Sequence, residues 1–291
     1  MPMTFQVQFQ NPYQKLSVKE LLEDKLLIPR KIRYFLRTKK HVLINNQPIN
    51  WQSSVEHGDD VTLIFDDDDY PAKTILFGDK QLVQPVYEDE HFIIVNKPEG
   101  MKTHANQPNE LALLNHVSAY AGQTCYVVHR LDKETSGLVL FAKNPFILPI
   151  LNRMLEKKAI KRYYWALVDG KTLPKTITYK DKIGRHRHDR RKRIVDNKHG
   201  QTAITHLKRL KTYPKNQLVE CQLDTGRTHQ IRVHLSYNEH PIIGDPLYHP
   251  HPKGRLMLHA YKLTLTHPMT GQQLSFQAKS DSFEQKLNTQ A

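Results

Sequence analysis

His129-Arg-Leu-Asp-Lys-Glu-Thr-Ser-Gly-Leu-Val-Leu-Phe-Ala-Lys143 decides how this chain is read, because it sets one carboxylate, Asp132, in a polar turn between two apolar runs. Tyr126-Val127-Val128 before it and Leu138-Val139-Leu140-Phe141 after it read as short buried strands, so the polar residues between them are expected to surface together at a sheet edge. An aspartate in a turn commonly bonds its own backbone. Read by itself the turn favours that ordinary duty, and the nucleophile that such an aspartate can also be needs support from elsewhere in the chain.

Composition narrows what can surround that turn. The chain has 291 residues, 38% of them hydrophobic, which buries one sizeable core and leaves length for a small second module. A formal net charge of +14 and a pI near 9.6 imply a polyanionic partner, either nucleic acid or an anionic membrane surface. The membrane is disfavoured, since no apolar run approaches the roughly 18 to 20 residues a bilayer span needs. The start, Met1-Pro-Met-Thr-Phe-Gln6, lacks the basic and apolar regions of a secretory signal, so a cytoplasmic location is expected. Cys125 and Cys221 lie in apolar runs without CxxC spacing and read as reduced core thiols.

Along the chain, residues 16 to 36 carry two helical patterns: Leu16, Leu21, Leu22 and Leu26, then Ile28, Ile32, Phe35 and Leu36. Pro29 stands where a first helical turn tolerates it. Val42-Leu-Ile44, the Asn45-Asn46 turn and Val61-Thr-Leu-Ile-Phe65 suggest a compact, strand-rich finish. Asp66-Asp-Asp-Asp69, followed by Tyr70-Pro71, marks a boundary, because four adjacent like charges repel and proline ends strand pairing. The expected organisation is a module over 1–66, a linker over 67–85 and a catalytic domain over 86–291. In the last part short alternating runs outnumber helical windows, as at Phe92-Ile-Ile-Val95, Leu218-Val-Glu-Cys-Gln-Leu223 and Lys262-Leu-Thr-Leu-Thr266. That predicts an α+β domain: a mixed, largely antiparallel sheet with flanking helices.

The pattern HRLDxxTSGL followed by an Ala-Lys pair closely resembles the active-site loop of the RluA-type pseudouridine synthases. The likeness returns, in the family's order, at Glu88-Asp89 through Val95-Asn-Lys97-Pro98-Glu-Gly100, Tyr164-Trp-Ala166-Leu-Val168-Asp-Gly170, Thr225-Gly-Arg-Thr-His-Gln-Ile-Arg-Val-His234, and Leu258-His-Ala260 through His267-Pro-Met-Thr-Gly271. An ordered set of motifs is far less easily matched by chance than any one of them. The segment before the boundary resembles the small αL-type RNA-binding module that precedes many RluA-type catalytic domains. Lys40 and Asn46 stand where that module often has glycines, which predicts altered backbone turns. A helix-hairpin packing appendage is the alternative.

The resemblance implies three chemical residues. Asp132 would act as nucleophile or as the base that starts elimination. Arg232 would be its partner: Thr228 can cap a helix through His229, Ile231, Arg232 and Leu235, on which His229 and Arg232 share one face. A guanidinium there can hold the carboxylate through two hydrogen bonds. Tyr164, two residues before Ala166 and two after Arg162, would stack on an extruded uracil and take part in proton transfer. Tyr163 is the competing choice, and a strand aromatic is more often core.

Gly184-Arg-His-Arg-His-Asp-Arg-Arg-Lys-Arg193 reads as a charged loop in contact with phosphates, through Arg185, Arg187, Arg190, Arg191, Lys192 and Arg193, or else as a solvated face. His129, Arg130, Lys97, Lys143, Arg227 and His229 are expected along the RNA path or pocket. The pairs His186/His188 and His249/His251 invite a metal, but neither has a nearby cysteine or paired carboxylate in sequence, so no metal is expected. Pseudouridine formation is an isomerisation needing no redox or nucleotide cofactor, and the chain has no GxGxxG and no GxxxxGK[ST]. The expectation is a cofactor-independent, monomeric RNA pseudouridine synthase, with ribosomal RNA favoured over transfer RNA. A catalytically idle RNA-binding or ribosome-assembly protein and, more distantly, a metal-dependent nuclease are the alternatives.

Overall fold

Alternation builds the first sheet. Phe5, Val7 and Phe9 turn inward from β1 (Phe5–Gln10) while Gln6, Gln8 and Gln10 stay exposed. β2 (Leu16–Ser17) leads into α1 (Val18–Glu20), where Ser17 and Glu20 form a reciprocal capping box. The chain continues as a wider π-type turn over Leu21–Lys25 that buries Leu21 and Leu22, then α2 (Arg30–Thr38) follows directly on Pro29. β3 (Val42–Ile44), β4 (Gln47–Pro48), β5 (Ser54–Val55) and β6 (Asp60–Phe65) complete the segment, with sheet order β1-β6-β3-β4 and β2 paired to β5. The expected helix pair is thus one short, irregular helical stretch and one regular helix. Lys40 (φ 56°) and Asn46 (φ 63°) hold the left-handed conformation glycine would take, so the turns are kept rather than altered. Asn tolerates that region; for Lys40 it costs roughly 1 to 2 kcal/mol.

A computed structural model describes residues 5–66, 69–70, 74–107 and 109–289. Asp67, Asp68 and Pro71, central to the expected boundary, lie outside the described residues. From residue 76 the connecting stretch is bonded to the helix α3 (Leu113–Ala121): Asn115 Nδ2 donates to Leu76 O (2.7 Å) and Gly78 N to Asn115 O (3.0 Å).

The second part is built on β7 (Pro85–Glu88), β8 (Phe92–Lys97), β9 (Tyr126–Val127), β10 (Ser136–Ala142), α4 (Ile147–Glu156), β11 (Lys161–Val168), β12 (Thr176–Tyr179), β13 (Ile183–Arg185), β14 (Arg193–Val195), β15 (Thr205–Thr212), β16 (Gln217–Leu223), α5 (Gln230–Tyr237), β17 (Leu258–Thr266), β18 (Gln273–Gln277) and α6 (Asp281–Asn288). Among the described residues its main sheet runs β12-β15-β16-β11-β17-β10-β8-β7, with β18 on β17 and β9 on β10. All pairings are antiparallel except β10 with β17, so the expected mixed, largely antiparallel sheet is what forms. That parallel junction depends on Gly137 (φ 118°), where an added Cβ would lie 2.3 Å from Ala260 O. The Asp132 turn precedes β10, an inner strand between β17 and β8, rather than lying along a sheet edge.

One apolar core joins both parts. Phe65 of β6 meets Phe146 with ring centroids 5.0 Å apart, and Arg153 of α4 donates to Leu27 O (2.9 Å) and Ile28 O (3.2 Å). Val7, Leu22 and Leu63 pack in the same cluster as Leu138, Leu140 and Leu263. Cys125 and Cys221 are buried free thiols, and no helix among the described residues is long and apolar enough to cross a membrane.

Candidate active site

The turn carrying Asp132 is held from beneath by side chains. Thr103 Oγ1 donates to Leu131 O (2.9 Å) and accepts from Leu131 N (3.1 Å). Lys97, at the end of β8, is wholly buried, and its Nζ donates to Pro98 O, Met101 O and Lys133 O at 2.8, 2.7 and 3.1 Å. Three carbonyls match the three donors of an ammonium, while burial pulls the lysine pKa down to about 7 against the charge of Asp132. The sequence reading puts Lys97 on the RNA path. A buried amine closed over by three carbonyls cannot meet a phosphate; Lys97 instead fixes the turn from inside.

Above the turn, Arg232 Nη1 donates to Asp132 Oδ2 at 3.0 Å, and His229 Nε2 stands 3.8 Å from the same oxygen. The expected two-bond grip on Asp132 is absent because the guanidinium fork is spent elsewhere. Arg232 Nε and Nη2 donate to Oδ2 and Oδ1 of Asp245, each at 2.8 Å. Asp245 Oδ1 also accepts from Leu247 N (2.9 Å) and Tyr248 N (3.1 Å), so this wholly buried carboxylate is fully engaged. Burial opposes the charge on Arg232, but Asp245 and then Asp132 outweigh it and hold its pKa above the ordinary value.

Thr228 does not cap the helix as expected. His229 occupies that position at φ 58° with no side-chain cap, and α5 begins at Gln230. His229 therefore meets Asp132 from a left-handed kink rather than from a shared helix face, and its Nδ1 lies 2.8 Å from the Tyr248 hydroxyl. Burial lowers its pKa, with Asp132 pulling the other way.

Tyr164 reaches the site by the ordinary alternation of β11, opposite a bulge in β17. The register shifts between Tyr163 and Trp165, so two residues of β17, Ala260 and Tyr261, oppose Tyr164 alone. Tyr164 is buried and lines the cavity, whereas Tyr163 lies under Lys262 Nζ, 5.4 Å from its ring centroid. Burial raises the Tyr164 pKa, keeping its hydroxyl protonated.

Asp132, Tyr164 and Arg232 line one cavity of about 520 Å³, together with His129, Arg130, Arg162, Arg227 and His229. His129 is there as a neutral wall: its Nε2 accepts from Leu140 N (3.2 Å), and burial drops its pKa to about 3. Arg130 is exposed at the mouth, 3.4 Å from His104 Nε2. Arg227 leans on Thr202 O and Gln201 Oε1, both at 3.1 Å. Lys143 does not line this cavity; it is bonded to Glu88 Oε1 (2.7 Å) and Asp89 O (2.6 Å).

The arginine-rich run is a β-hairpin, not a loop, with β13 and β14 paired and residues 186–192 at its tip. Arg185, Arg187, Arg190 and Arg191 are exposed and Arg193 is half-buried. Arg191 forks onto Asp189 at 3.1 and 3.0 Å, which neutralises it locally, while Lys192 is half-buried. Arg193 N donates to the Tyr248 hydroxyl (2.8 Å), tying the hairpin to His229 through one phenol. A second hollow of about 290 Å³, lined by Arg185, Arg193, His199 and Arg227, adjoins the cavity, since Arg227 and Thr228 border both.

Neither the Arg232 partner nor this link was legible beforehand. Asp245, in Gly244-Asp-Pro246, carries the same signal as Asp132, a carboxylate in a turn, and Tyr248 follows it closely. In sequence Arg162 carries no signal beyond its place two residues before Tyr164. Among the described residues, the one group of His, Asp or Glu side chains near enough to share a metal is His41, Asp66 and Asp69, where Lys39 Nζ already donates to both carboxylates at 2.9 and 2.6 Å.

Residues 91–237 match the family model described as RNA pseudouridylate synthase, and residues 5–61 match the RluD ribosomal pseudouridine synthase N-terminal domain. The uncharacterized RNA pseudouridine synthase YhcT of Bacillus subtilis is 39% identical over 242 residues, covering 79% of this chain and 78% of that one. Ribosomal large subunit pseudouridine synthase D of Neisseria meningitidis serogroup A is 41% identical over 216 residues, 66% of this chain but 57% of its own length. In three dimensions the chain is similar to human RNA Pseudouridylate Synthase Domain Containing 1, with a TM-score of 0.59 at 24% identity over 71% of this chain and 86% of that one, a likeness of fold.

Proposed function

The chain belongs to the RluA-type family of RNA pseudouridine synthases, which are isomerases, and on that premise we propose that it converts one uridine of structured RNA, in ribosomal RNA, to pseudouridine through Asp132, Tyr164 and Arg232. The observation that carries this reading is the carboxylate of Asp132 in the 520 Å³ cavity, aimed by an arginine that Asp245 locks in place.

The reaction breaks the N1–C1′ bond and makes a C5–C1′ bond; C5 gives up its proton and N1 gains one, so no atom is lost overall. Asp132 acts on the ribose, either by attacking C1′ or by removing the C2′ proton to open the glycal route. Arg232 keeps the carboxylate ionised and pointed. Tyr164, protonated and beside Asp132, stacks on the turned base and hands on a proton there. Uridine C5 and C1′ are out of reach in a stacked helix, so the nucleotide must be extruded into the cavity. The hairpin arginines Arg185, Arg187 and Arg190, with Arg130 and Arg227 at the mouth, hold the flanking backbone by charge.

In this reading residues 1–66 form an RNA-binding module, 67–85 connect it, and 86–291 are catalytic; the protein works in the cytoplasm as a monomer and without metal. Ribosomal RNA is supported by the match of residues 5–61 and by the name of the Neisseria relative. Mapping pseudouridines with and without the gene, then converting an unmodified large-subunit ribosomal RNA transcript with purified protein in the presence of a chelator, tests it. Conversion only of transfer RNA would move the substrate. Tight binding without conversion of either RNA would favour the idle RNA-binding reading, and loss of product on chelation would count against metal independence.

A further inference from the structure

Four guanidinium groups line the cavity, and three have protein partners. Arg232 is bonded to Asp245 and Asp132, Arg227 to Thr202 O and Gln201 Oε1, and Arg130 approaches His104. Arg162 is the exception. Its Nε is shielded from solvent without a hydrogen-bond partner, and it makes no ion pair among the described residues. Asp224, an acid that lines the same cavity, is taken: it pairs with Lys158 (2.8 Å) and lies 3.3 Å from His206. A buried guanidinium donor left unmatched is costly, so a site that keeps one has a partner to come.

We propose that Arg162 is the seat of the phosphate flanking the extruded uridine. Arg162 and Tyr164 stand two residues apart on β11, on the same face and about 6.6 Å apart along the strand. With the uracil on Tyr164 and the ribose over Asp132, the neighbouring phosphate of the same nucleotide falls toward Arg162. A planar fork of donors matches two phosphate oxygens, and phosphate is the anion an RNA substrate supplies in every sequence. The approach is kept open by Gly226, where a Cβ would come within 3.2 Å of Arg162 Nη1.

This inference rests on the proposed function but is tested separately from it. The probe is unmodified large-subunit ribosomal RNA, and then a synthetic fragment around the uridine that wild-type protein converts in it. Product formation by wild type tests the function; binding tests Arg162. Arg162→Ala is expected to weaken binding of the transcript roughly 10- to 100-fold at low salt and to lower the log–log salt slope by about 0.7, one phosphate of a single strand. Arg162→Lys keeps the charge and recovers the slope. A neutral methylphosphonate at the linkage flanking the target uridine should weaken wild type and leave Arg162→Ala unaffected. An unchanged salt slope in a folded Arg162→Ala protein, or full additivity of the variant with methylphosphonates at both flanking linkages, overturns the assignment and leaves Arg162 a wall residue. A Gly226→Ala variant with the Arg162→Ala phenotype supports it independently of any loss of folding at Arg162.

Discussion

Asp245 takes the fork of Arg232 through two 2.8 Å bonds, leaving a single 3.0 Å bond to carry the same guanidinium to Asp132. The Asp132 carboxylate is therefore aimed by a side chain that is itself immobilised by a second, wholly buried carboxylate. A positioning residue of this kind is separable from the chemistry. Asp245→Asn, nearly isosteric, should keep the fold and lose kcat by roughly 10- to 100-fold with little change in KM. Asp245→Ala should cost about 3 to 5 kcal/mol of stability, because it leaves a buried guanidinium with one partner. Steady-state kinetics beside urea unfolding checks both. Equal loss of kcat and affinity in the Asn variant would mean that Asp245 shapes the cavity rather than aiming Arg232.

Asp132→Asn removes the charge and keeps the shape. Pseudouridine formation should fall below detection while RNA affinity and unfolding midpoint stay near wild type, because Asp132 contributes one partly exposed hydrogen bond to Arg232. Wild-type turnover would sink the mechanism. A drop in stability equal to the drop in activity would return Asp132 to the ordinary duty of a turn aspartate.

For the adjacent tyrosines the register makes a sharp contrast. Tyr164→Phe should lower kcat by about 10²-fold or more, the usual worth of a general acid–base group, with RNA affinity nearly retained by the ring. Tyr163→Phe, on the other face beneath Lys262, should be close to neutral. Comparing single-turnover rates settles which hydroxyl matters.

Much of this arrangement is legible in the residues, and what is not has a physical reason. The strands around Asp132 announce themselves by apolar runs, and β6, β8, β16 and β17 fall where alternation places them. The Phe5-x-Val7-x-Phe9 alternation of β1 carries the same signal and is absent from the sequence reading, which starts its pattern at Leu16. Lys97 shows the limit of reading charge as exposure: composition cannot say that three carbonyls will close over an amine. The Arg232–Asp245 pair spans a turn whose course depends on the tertiary fold, so spacing on a helix could suggest that Arg232 faces the pocket but not which carboxylate would hold it. The kink at His229, whose ring meets the Tyr248 hydroxyl, is likewise invisible to a helix template that expects Thr228 as cap.

Buried histidines set a pH dependence. Burial drops His129 to about 3 and lowers His91, His229, His234 and His259, so each stays neutral in the folded chain at pH values where the unfolded chain binds a proton. Folded pKa values depressed below about 6.5 mean stability is full above that pH and is lost as pH falls toward 3. Between pH 7 and 5, before most carboxylates titrate, the unfolding free energy should decline. His129→Gln should flatten the decline by up to about 1.4 kcal/mol per pH unit, the weight of one proton. Urea midpoints across that window check it, and an unchanged slope in the variant would mean that His129 takes up a proton in the folded state.

The hairpin offers a test in which the structure revises what composition suggests. All six basic residues from Arg185 to Arg193 look equivalent in sequence, but Arg191 is already matched by Asp189, and Arg193 spends Nη1 on Arg190 O and Lys192 O. Counterion release follows charges that are free to meet phosphate, and each such contact contributes about 0.7 to 0.9 to the log–log salt slope. Arg185→Gln, Arg187→Gln and Arg190→Gln together should therefore lower the slope by about 2 to 3 and weaken binding of a ribosomal RNA transcript. Arg191→Gln alone should do little to the slope. The rate at saturating RNA should survive in the triple variant, because Asp132, Tyr164 and Arg232 are untouched and the hairpin meets Tyr248 through Arg193 N and the apolar cluster of Ile183, not through the three substituted side chains. Filter binding over a range of salt, with single-turnover rates alongside, separates the outcomes: an unchanged slope assigns the tip to solvent, and a collapsed saturating rate shows that the hairpin helps to build the cavity.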